Sequence, residues 1–283
     1  MTKADRVFRL AICQLAPRLG DVAANAEAIG RLVTSIPADL YLTPELSLTG
    51  YDLRDRVHDL AIADDDVGAR AALPDGRAVV AGYVERGDDA VLYNAAVLLH
   101  GETAFFNQRK VYLPTYGMFD EGRYFGRGNR VRAFEWNGWR FGLLICEDFW
   151  HPSLAYLAAC QRIDALLVIA AAPGRGVWAA GETGPFASAD VWERIARTTA
   201  QLYGIYVGLC NRVGVEGGVT FAGGSLVAAP SGDVVDRAEG LDEQVFVSVL
   251  SRDELERART PYAHIRDEDP ALVLRELTRL LRP

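Results

Sequence analysis

Short apolar runs rich in β-branched residues alternate along the chain with stretches in which apolar residues recur every three or four positions. The short runs predict strands, and the longer periodic stretches predict helices buried on one face. The predicted strands are 7–13, 40–43, 78–85, 91–100, 103–107, 131–136, 139–145, 165–170, 206–211, 223–229, 234–238 and 244–250. The predicted helices are 22–35, 55–73, 154–162, 187–203 and 270–281.

This alternation of strands and helices, with hairpins inserted, predicts an α/β fold with mixed sheets covered by helices. Asn137-Gly138 is a strong hairpin signal between two of the strands. No Pro/Ser/Gly-rich linker or step in composition divides the chain, so we expect one domain over residues 1–283. The periodicity leaves open whether there is one central sheet or two packed sheets.

Composition removes several classes of function. Half of the 283 residues are hydrophobic, which argues against a disordered scaffold. The net charge of −8, with no basic block, argues against a nucleic-acid partner. No apolar stretch reaches the length of about 20 residues needed to cross a membrane, and the first residues lack the apolar run of a signal peptide. Four cysteines without a C-x-x-C pair suit a reducing compartment, so we expect a cytoplasmic protein.

Common cofactor motifs are missing from the sequence. It contains no G-x-G-x-x-G, no phosphate-binding P-loop and no G-x-S-x-G, and its four histidines are not spaced as metal ligands. Gly223-Gly224-Ser225 resembles a nucleotide loop but is better explained as a hairpin turn. We therefore expect neither a metal nor an organic cofactor.

Three chemically complementary side chains follow predicted strands. Cys146 ends the apolar run 141–145, Glu45 follows the run 40–43 inside an otherwise apolar stretch, and Lys110 follows the strand that begins at residue 103. Ligands of α/β sheets bind at the carboxyl ends of strands. A thiol, a base for its proton and a cation for the developing oxyanion are the groups that acyl transfer needs.

The segments around these residues resemble the signatures of the nitrilase superfamily of carbon–nitrogen hydrolases, and the resemblance covers nearly the whole chain. The three segments, in the family's order and spacing, are Pro44-Glu45-Leu46, Arg109-Lys110-Val111-Tyr112-Leu113-Pro114 and Ile145-Cys146-Glu147-Asp148. The stretches 116–125 and 146–150 are most similar to the glutaminase domain of glutamine-dependent NAD synthetases. The resemblance implies a four-layer α-β-β-α sandwich, commonly dimerised through helices that flank the nucleophile.

The same resemblance implies a role for each matching residue. Cys146 would be the nucleophile and Glu45 the general base and acid. Lys110 would stabilise the oxyanion together with the backbone N–H after Cys146, and Glu121 would hold Lys110 in place. The expected substrate-binding residues are Tyr51, Tyr116, Phe119, Glu147, Ala172 and Trp178.

One departure from the glutaminase pattern bears on the substrate. The segment 171–176 carries Ala172 and Pro173 where those glutaminase domains have a serine that helps to hold the α-amino group of glutamine. We therefore expect a stand-alone hydrolase of a small linear amide or carbamoyl compound, acting as a homodimer or higher homo-oligomer. The main alternative is a glutaminase subunit that supplies ammonia to a separate synthetase such as NAD synthetase. Nitrile hydrolysis and a non-enzymatic binding protein are further alternatives.

Overall fold

The computed structural model describes residues 6–74, 76–176, 186–261 and 264–282. Its strands are β1 (Val7–Gln14), β2 (Leu40–Leu42), β3 (Ile62–Ala63), β4 (Ala78–Arg86), β5 (Leu92–His100), β6 (Thr103–Arg109), β7 (Ala133–Trp136), β8 (Trp139–Ile145), β9 (Ala165–Ala170), β10 (Tyr206–Asn211), β11 (Val215–Glu216), β12 (Val219–Thr220), β13 (Leu226–Ala228), β14 (Val234–Arg237) and β15 (Gln244–Ser251). Its α-helices are α1 (Val22–Ser35), α2 (Val57–Leu60), α3 (Val67–Ala71), α4 (Glu121–Tyr124), α5 (Pro152–Cys160), α6 (Ala187–Tyr203), α7 (Arg252–Arg259), α8 (His264–Asp267) and α9 (Pro270–Leu281). Two 3₁₀ turns cover Arg54–Arg56 and Cys146–Trp150.

The long strands form two mixed sheets. The first has the order β15-β1-β2-β4-β5-β6, with β3 beside β4, and the second has the order β14-β13-β10-β9-β8-β7. In each sheet the central strands are parallel, namely β1, β2 and β4 in the first and β8, β9 and β10 in the second. The strands at both sides pair antiparallel. The fold therefore contains two packed sheets and not one.

The two sheets pack face to face and each carries helices on its outer face. Phe8, Leu10 and Ile12 of β1 belong to the core between the sheets, while Ala11 and Cys13 belong to the core beneath α1. This alternation is the period of two expected for a strand buried on both faces. Helices α5 and α6 contribute buried residues to the other side of the second sheet. The order of layers is α-β-β-α, as the sequence resemblance implied.

Most predicted elements are confirmed, but the predicted helix over 55–73 is wrong. The chain there forms a 3₁₀ turn, α2, the short strand β3 and α3. It leaves α2 at Ala61 in an extended conformation, which allows Ile62 and Ala63 to pair in parallel with the end of β4. The tertiary pairing overrides the local helical pattern.

The sequence reasoning also missed α7. This helix is strongly polar and buries only Leu255, so it has almost no apolar period to detect. In the part of the chain that the structure describes, no helix combines the length and apolarity needed to cross a membrane.

Candidate active site

Glu45, Lys110 and Cys146 come from three different strands that end at the same edge of the two-sheet core. They follow β2, β6 and β8 respectively. Because β6 is separated from β4 by two antiparallel pairings, it runs in the same direction as β4 and as β2 beside it. The sheet topology thus brings together residues that are 101 positions apart in sequence.

The turn that carries Glu45 lies directly on Gly82 of β4. A Cβ at Gly82 would lie 2.3 Å from the backbone nitrogen of Leu46 and 2.8 Å from the carbonyl oxygen of Pro44. The Gly82 N–H donates to Ser47 Oγ at 3.1 Å, and the Leu48 N–H donates to the Gly82 carbonyl at 2.9 Å. Only glycine permits this close approach of two backbones.

Cys146 begins the 3₁₀ turn that follows β8, and its backbone adopts the left-handed region with φ 49°. A non-glycine residue in this conformation is strained, and such strain often occurs at functional positions. The turn is braced by Asp148, whose Oδ1 accepts from the N–H groups of Val111 and Tyr112 at 2.9 and 2.8 Å. Asp148 therefore fastens the Cys146 turn to the segment that follows Lys110.

Lys110 lies between two carboxylates in a fully buried position. Its Nζ is 2.7 Å from Glu45 Oε1 and 2.7 Å from Glu121 Oε1. The side chains of Lys110 and Glu45 are 0% exposed, and that of Glu121 is 5% exposed. Burying one cation with two anions is costly unless further hydrogen bonds satisfy the charges.

Those further hydrogen bonds come from residues that the sequence reasoning missed. Asn94 Nδ2 donates to Glu45 Oε1 at 2.7 Å, and the backbone N–H of Ala171 donates to Glu45 Oε2 at 2.9 Å. A buried asparagine inside the apolar strand β5 was an available signal for the first contact. The second is a backbone contact, which no residue type could have revealed.

Burial and charge set the protonation states of the site. Burial alone would lower the pKa of Lys110, but the charges of Glu121 and Glu45 outweigh it and hold the pKa well above its ordinary value. Desolvation, opposed by Lys110, raises the pKa of Glu121 to about 7. Burial and then the charge of Glu45 raise the pKa of the Cys146 thiol well above its usual value. Cys146 at rest is therefore a thiol, so a reaction through its sulfur requires a base to take the proton.

Four of the six expected substrate-binding residues lie around this centre. The Tyr51 hydroxyl donates to Glu121 Oε1, and the Tyr116 hydroxyl donates to Glu147 Oε2 at 2.7 Å. The ring of Phe119 makes edge contacts with both tyrosines, with centroids 6.1 and 5.8 Å apart. Tyr116 is 53% exposed, so the Tyr116–Glu147 contact lies at the surface of the site.

The remaining two expected substrate-binding residues are Ala172 and Trp178. Ala172 is buried just after β9, and its backbone N–H donates to Asn211 Oδ1 at 2.9 Å. Trp178 lies outside the described residues.

Among the residues that the structure does describe, no group of three or more His, Cys, Asp and Glu side chains could hold a metal ion.

Comparison with known proteins identifies the family and the fold of the chain. The family model described as carbon-nitrogen hydrolase matches residues 9–260. A protein named "Hydrolase in pqqF 5'region" from Pseudomonas protegens is 30% identical over 278 residues, which cover 94% of this chain and 91% of that protein. The carbon-nitrogen hydrolase of Helicobacter pylori G27 has the same fold, with a TM-score of 0.82, 21% identity and 99% of each chain covered.

Glutamine-dependent NAD(+) synthetases are also among the relatives. The enzyme of Thermotoga maritima is 30% identical over 258 residues, which cover 87% of this chain and 42% of the synthetase. The chain spans less than half the length of the synthetases that it matches. The family model, the full-length relative and the fold together lead to one conclusion: the chain belongs to the carbon–nitrogen hydrolases of the nitrilase superfamily and is an enzyme of that family.

Proposed function

We propose that this enzyme hydrolyses the C–N bond of a small linear amide or carbamoyl compound through a thioester on Cys146. The observation that carries the proposal is the buried Lys110 ammonium, 2.7 Å from both Glu45 and Glu121 beside the thiol. A base, a cation and a nucleophile are thus held together where water is largely excluded. Each group there interacts more strongly than it would in water.

In the first half of the reaction, Glu45 takes the thiol proton as Sγ attacks the carbonyl carbon. The C–S bond forms, and the π electrons move onto the carbonyl oxygen. Lys110 and the backbone N–H of Glu147, the residue after Cys146, stabilise this oxyanion. Glu45 then gives its proton to the nitrogen as the C–N bond breaks, which leaves a thioester and releases ammonia or an amine.

In the second half, water attacks the thioester carbon. Glu45 takes a proton from this water, and a second oxyanion forms at the same place. The C–S bond breaks, the acid is released and Glu45 returns the proton to Sγ. Glu121 takes no proton in this scheme, because its part is to hold the Lys110 ammonium.

The proposal is tested by trapping the acyl group. Because Glu45 serves both halves of the reaction, the unaltered enzyme is used: acid quenching during turnover of a library of amides should leave a mass increase on the intact protein that identifies the preferred acyl group. Cys160→Ser should hydrolyse the same amide as the unaltered chain, because Cys160 lies in α5 away from Lys110. A mass increase that persists in Cys146→Ala, or turnover by Cys146→Ala, would show that the proposal is wrong.

A glutaminase that supplies ammonia to a separate synthetase is the second candidate. It is favoured by the Glu147 carboxylate, which Tyr116 holds at the surface of the site and which could receive the α-ammonium of glutamine. Ammonia release from glutamine, measured with and without an added ammonia-dependent NAD synthetase, tests this candidate. No release under either condition would exclude it.

We further propose that the enzyme acts as a homo-oligomer in the cytoplasm. The apolar side chains of Trp150, Leu157 and Leu202, near the nucleophile turn and on α5 and α6, are 43%, 48% and 55% exposed. A second copy could cover this surface. The four free cysteines suit a reducing compartment. Light scattering after gel filtration tests the assembly, and a monomer at all concentrations would contradict it.

A further inference from the structure

A second buried ion pair lies beside the catalytic centre without belonging to it. Arg212 follows β10, and its Nη1 is 3.0 Å from Glu216 Oε2. Arg212 is 1% exposed and Glu216 is 7% exposed. A buried ion pair of this kind is weak support for stability, because well-packed apolar residues often serve as well or better. Stability alone therefore does not explain why Arg212 and Glu216 are buried here.

The other carboxylate oxygen of Glu216, Oε1, which is not paired with Arg212, binds the backbone of the loop 50–52. Glu216 Oε1 accepts from the N–H groups of Tyr51 and Asp52 at 2.8 and 2.6 Å. The preceding residue, Gly50, has φ +79°, and a Cβ there would lie 2.7 Å from Leu19 Cα. The loop is thus fixed by a charge-assisted pair of hydrogen bonds and a backbone conformation that favours glycine.

The ring of Phe221 connects the same ion pair to the Tyr51 side chain. The Arg212 guanidinium lies 4.1 Å from the centroid of Phe221, and the Phe221 ring meets the Tyr51 ring at 67° with centroids 6.1 Å apart. Both the backbone and the ring of Tyr51 are therefore held by contacts that start from Arg212 and Glu216. The hydroxyl at the other end of Tyr51 donates to Glu121, which holds Lys110.

We propose that Arg212 and Glu216 are positioning residues for the catalytic centre: they fix Tyr51 so that its hydroxyl stays on Glu121, and Glu121 in turn holds the Lys110 ammonium. The inference rests on the proposed function for the meaning of Lys110, but its contacts can be tested without any substrate. Neither residue touches the reacting atoms in this scheme, since both act through Tyr51.

The expected consequence is a change in how Glu121 titrates. The charged or titratable groups that face Glu121 are Lys110, Glu45, Tyr51 and Cys146. The hydrogen bond from Tyr51 lowers the pKa of Glu121, which burial has raised. When Glu216 no longer holds the loop, this hydrogen bond weakens and Glu121 keeps its proton to higher pH. Tyr51→Phe should have the same effect by removing the hydroxyl.

The experiment is a double-mutant cycle read by alkylation of Cys146 with iodoacetamide between pH 5.5 and 9. It uses the full chain with Cys160→Ser, because Cys13 and Cys210 are fully buried. Because the charge of Glu121 raises the pKa of the Cys146 thiol, ionisation of Glu121 should appear as an inflection in the pH dependence of the alkylation rate. We expect Glu216→Gln and Tyr51→Phe each to move this inflection to higher pH by about half a unit or more. If they act through one contact, the double variant should move it no further than Tyr51→Phe alone.

The matched control is Asp164→Asn. Asp164 is also 7% exposed, pairs with arginine and accepts a backbone N–H, but it lies at the other end of β9. It should lower stability without moving the inflection. An unmoved inflection in folded Glu216→Gln, or additive shifts in the double variant, would overturn the inference.

The experiment also covers a variant that does not fold, and it separates the positioning role from the proposed function. If Glu216→Gln does not fold, Glu216→Asp, which keeps the charge but withdraws the accepting oxygens, goes through the same cycle. If the inflection moves as expected but no acyl group is trapped, the proposed function fails while the positioning role stands. Trapping without any shift gives the reverse conclusion.

Discussion

Two clusters of buried ionic side chains, which differ in the sign of their net charge, lie at opposite ends of the parallel strands of the second sheet. At the carboxyl end, Lys110 is enclosed by Glu45 and Glu121, so anions outnumber cations. At the amino end, just before β9, Asp164 lies 3.4 Å from both Arg252 and Arg259, so cations outnumber anions. The first group is almost completely buried, whereas the side chains of Arg252 and Arg259 remain 20% and 32% exposed.

Each group leaves one buried polar atom without a partner, and the two atoms are of opposite kind. Arg259 also donates to the carbonyls of Ile163 and Gly204, and Asp164 accepts from the N–H of Arg140. Glu121 Oε2, an acceptor, is left without a partner in the first group, and Arg252 Nε, a donor, is left without one in the second. The groups are thus alike in polar satisfaction and differ in burial, since the arginines of the second group keep contact with solvent.

Lys110→Met should give the largest effect, because it removes the cation from between two buried carboxylates. We expect amide hydrolysis to fall by about 10³-fold or more. The free energy of unfolding should fall by about 3 kcal/mol, since unpaired buried charge is strongly destabilising. Initial rates and chemical denaturation measure the two quantities. Hydrolysis within ten-fold of the unaltered enzyme would contradict the role of Lys110.

Gly82→Ala tests whether the backbone contact under Glu45 matters as much for the rate of hydrolysis as the ion cluster of Lys110 does. The added Cβ would push the Glu45 turn away from β4. Displacement of a catalytic group by about 1 Å can cost about 10²-fold in rate. We expect that loss together with about 1–3 kcal/mol of stability.

The control for this change is Gly30→Ala in α1, where the nearest atom to an added Cβ is Pro74 Cδ at 3.7 Å. This substitution should stabilise the protein by about 0.5–1 kcal/mol and leave hydrolysis unchanged, because alanine favours helices. Equal losses of activity in both variants would argue against a special role for Gly82.

Asp164→Asn should separate stability from activity at the amino end of β9. We expect about 1–2 kcal/mol of destabilisation, because two arginines lose their partner but keep some solvent and other acceptors. The rate of amide hydrolysis at 25 °C should stay within two-fold. A ten-fold loss of rate in a fully folded variant would remove the contrast between the two clusters.

The last expected effect concerns the pH dependence of stability and not activity. Burial, opposed by the N–H groups of Tyr112, Ile145 and Val111, raises the pKa of Asp148 to about 7 from the ordinary value of 3.8. Between these values the folded state retains a proton that the unfolded state has lost. Stability therefore falls as pH rises through this window, by at most about 1.4 kcal/mol per pH unit.

Asp148→Asn should make this slope shallower by about one proton, as measured by denaturation at pH 5, 6 and 7. Glu121, whose pKa is also raised to about 7, should keep the slope from vanishing. An unchanged slope in the variant would contradict the assignment to Asp148.

The sequence predicted the parts of the site that depend on side-chain type. Glu45, Lys110, Cys146 and Glu121 are distinctive residues at strand ends or in family motifs, and the structure brings all four together. The support beneath them was not predictable, because it depends on which backbones meet. Ala171 contributes its amide alone, and Gly82 contributes the absence of a side chain.

The fold likewise has elements that the sequence predicted and elements that it did not. Helices α1 and α6 and strands β8 and β9 have strong apolar patterns, and their predicted boundaries match the structure. The segment 55–73 failed because the two-residue strand β3 gains its place only by pairing with β4. Local pattern identifies an element when burial of one face decides its structure, and it fails when a distant pairing does.

The left-handed backbone of Cys146 has a consequence for how this enzyme could lose its activity. A strained residue of this kind costs about 1–3 kcal/mol, and glycine at the same position would remove most of that cost. Selection for a stable fold alone would therefore favour replacing Cys146 with glycine. In a laboratory population screened only for thermal stability, the Cys146 thiol would be among the first features to disappear, while the sandwich around it persisted.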